Sequence, residues 1–282
     1  MKTVGLLSGK AVPALGQGTW NMGEDALYRA HEVAALKLGM DLGMTLIDTA
    51  EMYGDGGSEE VVGEAIAGRR DEAFLVSKVY PHNATRAGVQ AACERSLRRL
   101  KTEQIDLYLL HWRGSVPLEE TLEGFMALQR AGKIATYGVS NFDLNDMREV
   151  RALPGGGDIA ANQVLYNLAK RGIEWDLLPW SQQQQVPLMA YSPLESSALE
   201  QRAMLDNRSL QAVARRHGAT PAQIALAWLL RQDGVIVIPK AANPDHIRQN
   251  RAALDFVLSE EDIAELDQGY PLPRRNSPLA MR

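Results

Sequence analysis

The chain has 282 residues, 45% hydrophobic and 23% charged, ordinary usage for a folded globular chain. Its net charge of −5 and pI near 5.6 exclude the clustered cations that nucleic acid or an anionic membrane surface requires. The absence of an 18-residue apolar run, of a leader pattern and of any cysteine but Cys93 excludes a bilayer span, a secretory signal, an internal disulfide framework and a Cys-rich metal site. The expectation is a cytoplasmic protein, and Cys93, aligned with Leu97 and Leu100 on one helical face, is a small core residue.

In chain order, Thr3–Leu7 and Lys10–Pro13 flank Ser8-Gly9 and predict a hairpin. Leu15 to Trp20 follows, where Gly16 and Gly18 permit close backbone approach. From Asp25 to Leu42, the spacing of Leu27, Ala30, Ala34, Leu38 and Leu42 predicts an amphipathic helix stopped by Gly43. Short apolar runs then alternate with helical patterns. Strands are expected at Met44–Ile47, Ala73–Ser77, Ile105–Leu110, Ile134–Val139, Ile159–Gln163, Val186–Tyr191 and Val235–Ile238. Helices are expected at Glu59–Ala67, Thr85–Leu100, Leu118–Ala131, Leu144–Leu153, Ile173–Gln185, Asn207–His217, Pro221–Arg231 and Pro244–Arg251.

Such alternation implies parallel strands joined by right-handed crossovers. An open doubly wound sheet would want G-x-G-x-x-G after its first strand, and Gly16-Gln-Gly18 lacks the third glycine and is not closely followed by a helix. With Pro13–Gly18 as an eighth strand, the reading is a single α/β domain over 1–282, a (β/α)8 TIM barrel. The N-terminal β-hairpin covers the barrel's N-terminal end, and a short tail ends the chain.

In a barrel the C-terminal strand ends converge on one mouth. Those ends carry Asp48 with Tyr53 in the loop beyond, Ser77-Lys78, His111-Trp112, Ser140-Asn141, Gln163, Tyr191-Ser192-Pro193 and Pro239-Lys240. A phenol is a poor acid at neutral pH. An ammonium beside it favours the phenolate, and a carboxylate can hold that ammonium, so Asp48, Lys78 and Tyr53 form a plausible proton-donating chain. His111 can orient a carbonyl oxygen. No nucleophile accompanies the set, which suits proton transfer to a developing alkoxide with hydride from a cofactor. The five histidines are scattered, so no metal site is expected. Two other readings remain: a lyase or isomerase using Lys78 as a Schiff base, and a nucleotide-sensing regulatory subunit on the same fold.

The motifs Gly16-Gln-Gly-Thr-Trp20, Asp48-Thr-Ala-Glu-Met-Tyr53-Gly, Ser77-Lys78-Val, Leu107-Tyr-Leu-Leu-His111-Trp112, Gly138-Val-Ser-Asn-Phe142, Asn162-Gln163, Tyr191-Ser-Pro-Leu194 and Ile238-Pro-Lys240 occur in order over nearly the whole chain. Together they resemble the aldo/keto reductases, and the short loops and tail resemble bacterial methylglyoxal-reductase-type members. The resemblance implies NADPH-dependent reduction of small aldehydes and ketones by a monomer, with Asp48, Tyr53, Lys78 and His111 catalytic. It implies that Ser140, Asn141 and Gln163 hold the carboxamide and that Tyr191 stacks on the nicotinamide. Thr19 and Trp20 would flank the ribose and the pocket. Ser192, Pro193 and Leu194 would run beside the pyrophosphate, with Pro239, Lys240, Ala241, His246 and Asn250 toward the 2′-phosphate. Trp20, Tyr80 and Trp112 would wall the substrate.

One position departs from the family pattern: an arginine six residues after Lys240, where this chain has His246. Arg248 cannot replace it, lying about 200° around the helix. Lys240 without that bidentate fork implies a preference for NADPH over NADH that is weaker than usual. The segments Arg113–Pro117, Glu195–Leu205 and Pro271–Arg282 match no motif and are expected to be short specificity loops around an open pocket.

Overall fold

The first strong turn signal, Ser8-Gly9, does what its composition suggests. In the computed structural model, which describes residues 2–282, Gly9 takes φ 81° and joins β1 (Thr3–Gly5) to β2 (Ala11–Pro13) as an antiparallel hairpin. Eight further strands follow: β3 (Gln17–Gly18), β4 (Leu46–Asp48), β5 (Phe74–Val79), β6 (Ile105–Leu110), β7 (Ile134–Ser140), β8 (Asn162–Leu165), β9 (Leu188–Tyr191) and β10 (Val235–Val237). They lie side by side in sequence order and every pair is parallel. Their near-continuous apolar character is that of strands buried on both faces.

The two edges meet. Val237 donates to the Ala14 carbonyl at 2.8 Å, Gly16 to Val237 at 2.9 Å and Gly18 to Pro239 at 3.1 Å, which closes the barrel. Gly18 has to be glycine at this seam, because a Cβ there would lie 2.8 Å from the Ile238 carbonyl oxygen. Outside the ring run α1 (Arg29–Asp41), α2 (Gly57–Ala65), α3 (Arg86–Leu100), α4 (Leu118–Arg130), α5 (Leu144–Ala152), α6 (Leu177–Gln184), α7 (Ala198–Leu205), α8 (Arg208–Arg216), α9 (Pro221–Leu230), α10 (Pro244–Ala252) and α11 (Glu260–Gly269). Their starts are chemically marked: Thr85 caps α3 through the Gly88 amide, and Thr220 with Gln223 forms a capping box on α9.

The hairpin closes the N-terminal end of the barrel. Asp106, at the start of β6, accepts from the Leu75 amide at 2.9 Å, Arg70 Nη2 at 2.8 Å and Lys10 Nζ at 2.9 Å, tying hairpin, β5 and β6 together. Lys10 also sits 4.9 Å over the Phe74 ring. Charge is thus spent on closing one end, leaving the other for chemistry.

Several expectations shift. Helix α1 starts at Arg29 rather than Asp25, because the Asp25 carboxylate takes the Leu27 amide in a local turn. Its buried face is Glu32, Ala35, Leu36, Gly39 and Met40, whereas Leu27 and Ala34 are exposed. The alanine-rich pattern offered two apolar stripes, and close packing on Gln17 selected the one containing Gly39, where a Cβ would lie 1.9 Å from Gln17 Oε1. Strand β8 runs past Gln163 to Leu165, so Gln163 lies within the strand. The expected loop Glu195–Leu205 contains α7, capped by Ser197, and α11 follows the capping box of Ser259 and Asp262.

Candidate active site

Asp48 closes β4, and the chain then turns through Tyr53 into a loop where Gly54, Asp55 and Gly56 all have positive φ. That left-handed run, cheap only where glycine dominates, presents the Tyr53 phenol back toward the strand ends. Lys78 is the fifth residue of β5, fully buried, and its ammonium donates to Asp48 Oδ2 at 2.8 Å, to the Thr49 carbonyl at 2.9 Å and to the Tyr53 hydroxyl at 3.2 Å. All three ammonium donors have a partner. His111 follows β6 directly, with its ring 5.8 Å from the Tyr53 ring at 75°, and its Nδ1 has no protein hydrogen-bond partner. The four residues come together as the strand ends required.

A second layer holds the first. Gln163 Nε2 donates to Asp48 Oδ1 at 2.7 Å, so both Asp48 oxygens are engaged. Thr19 Oγ1 donates to the Asp48 carbonyl at 2.9 Å and receives Ser58 at 2.7 Å, while Thr49 and Ser58 share a bond of 3.0 Å. On the far side, Asn141, at φ 60°, donates to the His111 carbonyl at 3.1 Å and accepts the Tyr191 hydroxyl at 2.8 Å. Ser140 Oγ donates to the Gln163 carbonyl at 2.9 Å. These polar groups are therefore pre-oriented by one another.

Electrostatics divides the labour. Burial raises the Tyr53 pKa, Lys78 pulls it down, Asp48 pushes it up, and the net direction is upward. The sequence argument for a lowered phenol thus has the Lys78 effect in the right direction and omits the larger cost of removing a phenolate from water. Burial also disfavours the Lys78 ammonium, but Asp48 and Tyr53 outweigh it and its pKa is raised. Burial, then the nearby Lys78 charge, depresses His111 to about 2, so its imidazole is neutral. The resting site holds a protonated phenol, a charged ammonium and an uncharged histidine.

A cavity of about 380 Å³ opens over this group. Its walls include Thr19, Trp20, Met52, Trp112, Ser140, Asn141, Gln163 and the run Tyr191 to Ser196, and Pro239, Lys240 and Arg282 complete it. Trp112 lines the cavity, and Tyr80 stands behind it, edge-on at 5.6 Å, buttressing the wall without lining it.

Three comparisons bear on this arrangement. Residues 14–270 match the aldo/keto reductase family. Methylglyoxal reductase YeaE of Escherichia coli is 54% identical over 271 residues, covering 96% of this chain and 95% of the relative. The chain belongs to the aldo/keto reductase family. Methylglyoxal reductase DkgA of Salmonella typhimurium is 30% identical over 277 residues, covering 95% and 94% of the two chains. A Klebsiella pneumoniae aldo/keto reductase crystallised with NADP and acetate superposes with TM-score 0.97 at 53% identity, covering 100% of this chain and 99% of that one.

In this aldo/keto reductase, Ala241, His246 and Asn250 do not line the cavity; they lie beyond Lys240, on the way into and along α10. His246 is exposed and Asn250 is buried. The reductase also has cavity residues that motif reading did not single out: Asn21, Met52, Glu195, Ser196, Gln201 and Arg282. Asn21 and Met52 carried a signal, flanking Trp20 and Tyr53. Glu195, Ser196, Gln201 and Arg282 fall in the segments Glu195–Leu205 and Pro271–Arg282 expected around the pocket, but no motif marks them individually, and the place of Arg282 depends on the path of a tail without regular structure. Among the described residues no cluster of three metal-ligating side chains exists, and no helix is long and apolar enough to cross a membrane.

Proposed function

We propose that the chain reduces small aldehydes and ketones, methylglyoxal among them, with NADPH as reductant and Tyr53 as proton donor. The observation that carries this reading is the buried Lys78 ammonium bonded at once to Asp48 and to the Tyr53 hydroxyl, both of which line the cavity. The names of the Escherichia coli and Salmonella relatives and the NADP in the Klebsiella structure support it.

The residues fit a nicotinamide dinucleotide. One cavity joins the acid end to the Ser192–Ser196 segment and to Lys240, and the Ser196 hydroxyl there is buried with no protein partner. Ser140, Asn141, Gln163 and Tyr191 would hold the nicotinamide end, with Thr19 and Trp20 beside the ribose. Ser192, Pro193 and Leu194 would follow the pyrophosphate, and Pro239, Lys240, Ala241, His246 and Asn250 the 2′-phosphate. When bound, NADPH supplies a hydride to the carbonyl carbon.

The chain's own residues do the rest. Neutral His111 donates a ring N–H to the carbonyl oxygen and orients it without adding charge. Tyr53, kept protonated by burial, releases its proton to that oxygen as negative charge develops there. Lys78 stabilises the phenolate left behind, and Asp48 fixes the ammonium in place. Trp20 and Trp112 restrict water at the cavity mouth. The single buried thiol of Cys93 suits a reducing cytoplasm.

The test is a panel of small aldehydes followed by loss of nicotinamide absorbance with NADPH and with NADH. Turnover is expected with both, at higher kcat/KM for NADPH. No turnover with any carbonyl, or equal efficiency with the two cofactors, would count against the corresponding part of the reading.

A further inference from the structure

The Ser192–Ser196 wall of the cavity is an unusual piece of backbone. Ser192 and Glu195 have φ of 46° and 63° although neither is glycine, so local preference does not hold this conformation. Glu195 is stranger still: its side chain is 1% exposed and carries a carboxylate. Among the described residues, the one hydrogen bond to that carboxylate comes from Arg282, at 3.1 Å. The same guanidinium nitrogen also pairs with Glu200, in the first turn of α7. The tail that delivers Arg282 has no helix or strand after Gly269, yet Leu279 packs against the core and anchors it.

We propose that Arg282 is a positioning residue that pins the Ser192–Ser196 wall across the cavity and so sets how fast the bound dinucleotide leaves. The inference rests on the reading of the cavity as a dinucleotide site. Its logic is the intolerance of a low-dielectric site for an unpaired charge. With Arg282 present, the Glu195 carboxylate is satisfied while buried, and the strained wall stays closed. Without Arg282 the carboxylate is left buried and unpaired, and swinging its own segment away from the cavity returns it to water. Gln201, which donates to the Leu194 carbonyl at 3.1 Å, would hold the α7 end but offers Glu195 no charge.

The experiment is stopped-flow release of NADPH, read by nicotinamide fluorescence, from the wild-type chain, Arg282→Ala, Glu195→Gln and the double variant. Arg282→Ala is expected to release NADPH about tenfold faster, as lid opening commonly limits release and the buried partner is lost. In the double variant no charge needs water, so release is expected to return to within about twofold of Glu195→Gln alone. Each variant's thermal midpoint is measured to show that it is folded. Wild-type-like release from Arg282→Ala overturns the pin while leaving the dinucleotide reading intact. Fast release that Glu195→Gln does not reverse also overturns it, since Arg282 would then act on the ligand directly. If the wild-type chain binds no NADPH, both readings fall together.

Discussion

His111 shows how burial decides what a residue can do. An ordinary imidazole titrates near 6.5, and here desolvation and the Lys78 ammonium depress it to about 2. The unfolded chain therefore takes up a proton below about pH 6.5 that the folded chain refuses. Unfolding then binds a proton, so stability falls as pH falls through that value, and above it His111 contributes no slope. The expected slope from this one group reaches about 1.4 kcal/mol per pH unit between those limits. Urea unfolding at pH 7.5 and 5.5 checks it: between the two, the wild type should lose about 1.4 kcal/mol more than His111→Gln. An identical pH dependence in the two proteins would mean that the imidazole takes up its proton in the fold as readily as in the unfolded chain.

Elements were legible to the degree that local chemistry specifies them. Strands β5 and β6 read clearly because six-residue apolar runs flanked by helical patterns have few alternatives. The α3 cap at Thr85 and the stop at Gly43 are likewise written in single residues. The buried face of α1 was not legible, because alanines dilute the apolar contrast and the choice lies in packing against Gln17, far away in the chain from Gly39. Helix α7 was missed because its run from Ala198 has little amphipathic signal, though Ser197 marks its start. Elements also divide the barrel into a stabilising end and a reacting end, and Asp106 belongs wholly to the first. Asp106→Ala should strip partners from Arg70, Lys10 and the Leu75 amide and cost about 3 kcal/mol, as loss of a buried charged partner commonly does. Denaturant titration measures that loss, while kcat with an aldehyde should change by less than about twofold, because function sits at the opposite rim.

The whole molecule explains why a handful of residues far apart in sequence could be assembled on paper. A closed barrel collects its strand ends at one rim, so Asp48, Lys78 and His111 needed only their strands to be identified, and Tyr53 only its short glycine-bearing loop. What a ring does not specify is what lies over the rim. Arg282 reaches the cavity along a tail whose route is set by scattered contacts, and Tyr80 turned out to stand behind Trp112 because loop geometry is not periodic. The central claim is that the Tyr53 hydroxyl, bonded to Lys78, delivers the proton. Tyr53→Phe removes that oxygen and little else, so its measurement is the most direct: NADPH binding by fluorescence and methylglyoxal turnover by nicotinamide absorbance in the same preparation. The account predicts retained NADPH binding with turnover reduced at least about 100-fold, the scale of a lost general acid. Turnover at the wild-type rate in a folded, NADPH-binding Tyr53→Phe protein would contradict it.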